Sequence, residues 1–148
     1  MSKINKTAFD VIQNQNLEDK VFLISGGYAG LGAESAKALL KAKAKVIIVG
    51  RNAEAQQKFV TEFLNDKSLI ISEKQIDAEQ IMDLGDLESV SRFAKHIYQK
   101  FGKIDVLMNN AGIMRTAPGK TKDGFEIQMA TNVIGHFLLA KILVLKTI

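Results

Sequence analysis

Apolar residues in this chain fall in short solid runs that alternate with longer stretches of helical spacing. "KVFLIS" (20–25) is a compact apolar run that closes on glycines, the pattern of a strand buried on both faces. In the following "AGLGAESAKALLKAKA", Ala33, Ala36, Leu39 and Leu40 make one apolar helical face. "KVIIVGR" (45–51) reads as a second buried strand. "AEAQQKFVTEFLND" (53–66) reads as a helix whose apolar side is Phe59, Val60, Phe63 and Leu64. Residues 67–78 carry no clear period and fit either an extended strand or a loop. "EQIMDL" (79–84) is the expected third strand. In "DLESVSRFAKHIYQKFG" (86–102), Leu87, Val90, Phe93, Ala94, Ile97 and Phe101 keep a 3–4 spacing, and Gly102 stands at the C-cap position. "KIDVLMNNAG" (103–112) is a fourth strand running into a glycine turn, and a last helix is expected over roughly 123–145. Residues 1–18 form a polar arm with room for one helical turn, ahead of a single domain over 19–148.

Strands alternating with helices across short connections make an α/β fold with a parallel sheet. Right-handed crossovers then give the strand order 3-2-1-4, the first half of a doubly wound Rossmann-type sheet.

Composition narrows the chemistry. The chain has 148 residues, 47% hydrophobic and 24% charged, a globular balance for one core. It has no cysteine, which excludes disulfides, thiolate nucleophiles and cysteine-ligated metals. His96 and His136 lie far apart and read as surface or packing residues on helices, and no metal site is expected. The net charge of +4 is spread among acidic residues without a basic, aromatic-interleaved stripe, so no nucleic-acid partner is expected. The first residues lack the apolar core of a signal peptide. "FLLAKILVLKTI", interrupted by Lys141 and Lys146, is too short to span a bilayer. A cytoplasmic protein is the default expectation.

"SGGYAGLG" (25–32) places four glycines between a buried strand and an amphipathic helix. Glycines let a backbone approach closely, and the helix start offers free N–H groups and a positive dipole end, which together suit a pyrophosphate. Glycines alone could also make only a tight turn. The second strand ends at Gly50-Arg51-Asn52, where a fold selecting NAD would place an acidic residue for the ribose hydroxyls. Arg51 suits bidentate capture of a 2′-phosphate, which favours NADP(H) over NAD(H); an ordinary exposed arginine is the alternative. Asp83 stands at the rim where adenine would lie, with Leu84 beside it. Asp83 could instead cap the next helix, although Asp86 is better placed for that.

These residues resemble the short-chain dehydrogenase/reductase family, of the classical type. Its T-G-x-x-x-G-x-G motif appears as Ser25-Gly26-Gly27-Tyr28-Ala29-Gly30-Leu31-Gly32, with serine for the usual threonine. Its N-N-A-G motif is intact at Asn109-Asn110-Ala111-Gly112, and Asp83-Leu84 closes the third strand. The phrase "TKDGFE…N…GHFLL" is similar to the retinol-dehydrogenase-like branch. The resemblance covers roughly residues 19–145. It implies hydride transfer between a nicotinamide cofactor and an alcohol or carbonyl substrate. It assigns the cofactor to Gly26, Tyr28, Ala29, Gly30, Leu31, Gly32, Arg51, Asn52, Asp83, Leu84, Asn110, Ala111 and Gly112.

The family's catalytic set is a serine, a tyrosine, a lysine four residues after it, and an asparagine. A fixed cation beside the phenol is what makes tyrosine a usable acid/base near neutrality. Of these, only Asn132 maps here. The two tyrosines, Tyr28 and Tyr98, are followed four positions later by Gly32 and Gly102. The resemblance therefore implies a cofactor-binding half, truncated before the Ser and Tyr-x-x-x-Lys part. Alternatives are a catalytically silent NADP(H)-binding module or an inactive fragment. Such a half would expose the edge of strand four and part of the last helix, and self-association is expected there.

Overall fold

The computed structural model describes residues 6–66 and 72–147, with side chains through Leu145; readings that fall on 1–5, 67–71 and 148 lie outside the described residues. Its elements run α1 (Ala8–Ile12), β1 (Val21–Ser25), α2 (Gly30–Lys41), β2 (Lys45–Val49), α3 (Ala53–Leu64), β3 (Ile76–Asp77), α4 (Leu87–Phe101), β4 (Val106–Met108), α5 (Ile127–Met129) and α6 (Gly135–Thr147). A π-helical turn, Ala130–Ile134, joins α5 to α6. The sheet is parallel with order β3-β2-β1-β4, as the alternation of elements requires. The polar arm contributes the one short helix expected of it, α1, capped by Thr7.

The solid apolar runs become central strands because both sheet faces are covered. Leu23, Ile47 and Val49 point to one side, where Val90, Phe93 and Ile97 of α4 and Leu139 and Leu143 of α6 meet them. Ile24, Val46 and Ile48 point to the other, against Ala36, Leu39 and Leu40 of α2 and Phe59 and Phe63 of α3. Alternation along a strand divides one apolar run between two cores. α4 stops at Gly102, whose positive φ of 74° and N–H bond to the Tyr98 carbonyl make it the expected C-cap.

The third strand is not at 79–84. The ladder to β2 consists of Ile76 opposite Val46 and Asp77 opposite Ile47, and the chain then leaves the sheet. Residues 79–84 keep a strand-like alternation, with Met82 and Leu84 buried while Ile81 and Asp83 are exposed. They run past the end of β2, where only Gly50 offers a carbonyl, taken by the Met82 N–H at 2.9 Å.

β4 is the terminal strand among the described residues, and Val106 on it is exposed, as are Val133, Phe137 and Val144 along the last helix. The membrane expectation needs a correction. The continuous helix Ile127–Leu145 has 19 residues and a mean hydropathy of 1.5, long and apolar enough to cross a bilayer by length and composition. Its inner face instead carries Ala130, His136, Leu139 and Leu143 into the interior.

Candidate functional site

Helix starts leave unpaired N–H groups, and most helices here answer them with a side chain. Thr7, Asn52 and Asp86 cap α1, α3 and α4. α2 has as its N-cap Ala29, whose methyl side chain can accept no hydrogen bond from the first N–H groups. Its start opens on a cleft of about 470 Å³ at the carboxyl ends of the strands. That is where a parallel sheet binds ligands, at the point where strand order reverses between β1 and β4. The positive end of the α2 dipole is thus left for an anion.

The turn feeding α2 is tight. Gly26 and Gly30 take positive φ, 67° and 51°. A Cβ on Gly32 would collide with the Gly26 carbonyl oxygen and stand 2.5 Å from Asn110 Nδ2. The cradle is therefore all backbone, the surface a pyrophosphate fits.

Ser25 locks this turn to the Asn-Asn-Ala-Gly segment. Its Oγ accepts from the N–H groups of Asn110 and Ala111, both at 3.0 Å. Asn110 Nδ2 returns to the carbonyl of Ser25 at 3.0 Å. The Ser25 hydroxyl lies 2.8 Å from Nε2 of His136, whose Nδ1 lies 3.1 Å from the Asn132 carbonyl. A carbonyl only accepts, so Nδ1 carries the proton. Burial pushes this imidazole below the ordinary 6.5, against the weaker opposing pull of the Asn132 carbonyl, which keeps it neutral at pH 7. Nε2 is then an acceptor, and the Ser25 proton goes to it. Both lone pairs and the proton of Ser25 are thereby satisfied. His136 is the packing residue the sequence suggested, and it also joins α6 to β1 and the segment after β4.

The sign of its pH effect follows. With the folded pKa lowered, the unfolded chain takes the proton first, so the stability is full above about 6.5 and falls as pH drops through the folded value. Urea unfolding at about pH 7.5 and about pH 5 should show a larger acid loss for the natural protein than for His136→Gln. Equal losses would contradict the neutral assignment.

At the end of β2, Tyr28 lies over Gly50, where an added Cβ would stand 2.5 Å from the phenol oxygen. Arg51, next along the chain, is exposed on the cleft, and its guanidinium makes no ion pair among the described residues. Asn52 is placed differently: its Oδ1 accepts from the Ala55 N–H at 2.9 Å, so it caps α3 and does not line the cleft.

Asp83 and Leu84 also line the cleft, next to Met82, whose N–H bonds the Gly50 carbonyl. Asp83 Oδ1 accepts from the Gly85 N–H at 2.8 Å. The capping duty falls to Asp86, which accepts from Glu88 and Ser89. Lys122, 2.8 Å from Asp86, holds that carboxyl below the usual carboxylate range, with the N–H of Ser89 assisting.

Asn132 sits in the π-helical turn, a feature frequent at functional sites. Its side chain pairs reciprocally with Ile113, accepting from the N–H and donating to the carbonyl, each at 2.9 Å. Asn132 is exposed and is not part of the cleft lining, while its neighbour Thr131 lines the cleft.

The cleft thus gathers Gly26, Tyr28, Ala29, Gly30, Leu31, Arg51, Asp83, Leu84, Asn110, Ala111 and Gly112, with Gly32 just behind the turn. Sequence reasoning missed Gly50, Met82, Ile113 and Thr131. Each adjoins a residue it named, so adjacency was the available signal.

The chain is similar to known proteins. The chain is 38% identical over 141 residues to short-chain dehydrogenase/reductase prx1 of Penicillium roqueforti, covering 93% of this chain and 39% of that protein. It is 34% identical over 128 residues to retinol dehydrogenase 13 of Mus musculus, covering 84% and 36%. A solved structure of Pseudomonas aeruginosa RhlG in an NADP active-site complex superimposes with a TM-score of 0.70 at 28% identity, covering 87% of this chain and 48% of that one. The chain therefore spans about two fifths of the length of the curated relatives it matches. The family model for short chain dehydrogenase matches residues 20–147, from the first residues of the sheet through the last helix. With the glycine turn, the Asn-Asn-Ala-Gly segment and Asn132 all inside that match and joined around one cleft, the chain belongs to the short-chain dehydrogenase/reductase family.

Proposed function

We propose that these residues form the NADP(H)-binding part of an oxidoreductase acting on an alcohol or carbonyl substrate. The observation that carries the reading is the uncapped start of α2 and the glycine turn sharing one cleft with Arg51. The start of α2 would hold the pyrophosphate, Arg51 the 2′-phosphate, and the Met82–Leu84 wall the adenine. Bound NADP(H) would supply or accept the hydride. The protein's own part is to bind and orient it, with Asn132 holding Ile113 at the cleft's nicotinamide end. The solved NADP complex of RhlG supports this choice of cofactor.

The experiment is a titration with NADPH and NADH. NADPH should bind at least about tenfold more tightly, and Arg51→Ala should remove about 1.4 kcal/mol of that preference while leaving NADH within about twofold. Equal affinities in the natural protein would sink the Arg51 assignment.

A second reading, a silent cofactor-binding module, is favoured by one observation. Neither Tyr28 nor Tyr98 has a lysine four positions on, so these residues by themselves are not expected to turn substrate over. Steady NADPH oxidation in the presence of a small aldehyde would exclude it.

A further inference from the structure

Behind the Met82–Leu84 wall lies a polar side chain that neither α3 nor the core requires. Gln56, in the first turn of α3, is 1% exposed. Its Nε2 donates both protons across to the segment that leaves β3, to the Ala78 carbonyl at 2.7 Å and the Gln80 carbonyl at 2.8 Å. Its Oε1 is buried with no hydrogen-bond partner. A buried, half-satisfied amide is an unfavourable way to fill space, and a hydrocarbon of the same length would pack there at lower cost. The arrangement makes sense as a clamp on the segment.

That segment needs one. β3 ends at Asp77, and the next backbone bond to β2's strand line is Met82 N–H to the Gly50 carbonyl, at 2.9 Å. Between them, Gln56 holds two carbonyls from beneath, and Lys100 holds the exposed Glu79 carboxylate at 2.7 Å from outside. Gly50 and Arg51 line the cleft beside Met82 to Leu84, with Met82 bonded directly to Gly50, so the place of Asp83 and Leu84 in the lining depends on where this segment rests.

We propose that Gln56 is a positioning residue for the adenosine half of the cofactor, setting the height of the Met82–Leu84 wall without touching the ligand. The proposal rests on the dinucleotide reading above. Gln56→Met keeps the length and removes both donors. In that variant the Met82 amide should exchange with solvent about tenfold faster, while amides in α2 keep their protection. Affinities for NADPH and for adenosine 2′,5′-bisphosphate should both fall about five- to tenfold, and that for reduced nicotinamide mononucleotide should not change. Unchanged Met82 exchange, or an equal loss for the mononucleotide, overturns the proposal. If Gln56→Met does not fold, Gln56→Asn provides the shortened amide, with the same pattern at smaller size. In the natural protein the two Nε2 protons of Gln56 should exchange more slowly than those of exposed Gln13 and Gln57; equal rates also overturn it. Natural protein that binds neither adenosine ligand defeats the dinucleotide reading instead, and Met82 exchange then still decides the clamp.

Discussion

Gly135→Ala is expected to lower the melting temperature by about 6–12 °C, from a loss of about 3 kcal/mol in a chain of this size. Gly135 opens α6 and is buried. A Cβ there would collide with the carbonyl oxygen of Leu84 and stand 3.0 Å from its carbonyl carbon and 3.1 Å from its Cα. These are backbone atoms and cannot rotate away. Either α6 retreats, withdrawing Leu139 and Leu143 from the core they share with Val90 and Phe93, or the Leu84 segment moves. Alanine's better helix propensity returns only about 1 kcal/mol. Because Leu84 lines the cleft, the variant should lose nucleotide affinity as well as stability. Calorimetry checks the first effect, and a melting temperature within about 2 °C of the natural protein would show that helix and wall can part at little cost.

Gly32→Ala should have the largest effect on binding. Its Cβ would collide with the Gly26 carbonyl oxygen and press on Asn110 Nδ2, 2.5 Å away. Relief requires opening the turn between β1 and α2 or expelling Asn110, whose amide ties that turn to the segment after β4. Both outcomes spoil the backbone cradle at the start of α2. A loss of at least about 100-fold in NADPH affinity is expected, about 2.7 kcal/mol. Fluorescence titration measures it, with far-ultraviolet circular dichroism confirming that the sheet and helices persist. Affinity within about threefold of the natural protein would mean that the turn is not the phosphate site.

Much of this architecture is legible in the sequence. Solid apolar runs followed by helical spacing identify strands covered on both faces, and the crossover rule then orders them. That the glycine turn, Arg51 and Asp83 share one cleft is legible because a parallel sheet puts its strand ends at known points in the chain. Asn52 is expected at the cofactor from its place after the second strand; its side-chain carbonyl caps α3, because whether a strand-end side chain faces the cleft depends on where the next helix begins. The third strand was placed three residues late because Met82 and Leu84 alternate like strand residues although no partner strand reaches them.

By itself, then, the sequence determined the element order, the parallel sheet, the position of the glycine turn and the family. Those properties follow from local periodicity and from residues adjacent in the chain. Only the tertiary structure decided how the site is held. Ser25 meets His136 across 111 positions of sequence, Gln56 reaches Ala78 and Gln80 across more than twenty, and Gly135 lies against Leu84. Such pairings carry no periodic signal, because a hydrogen-bond partner is chosen by proximity in the packed core, where burial makes an unmade bond costly.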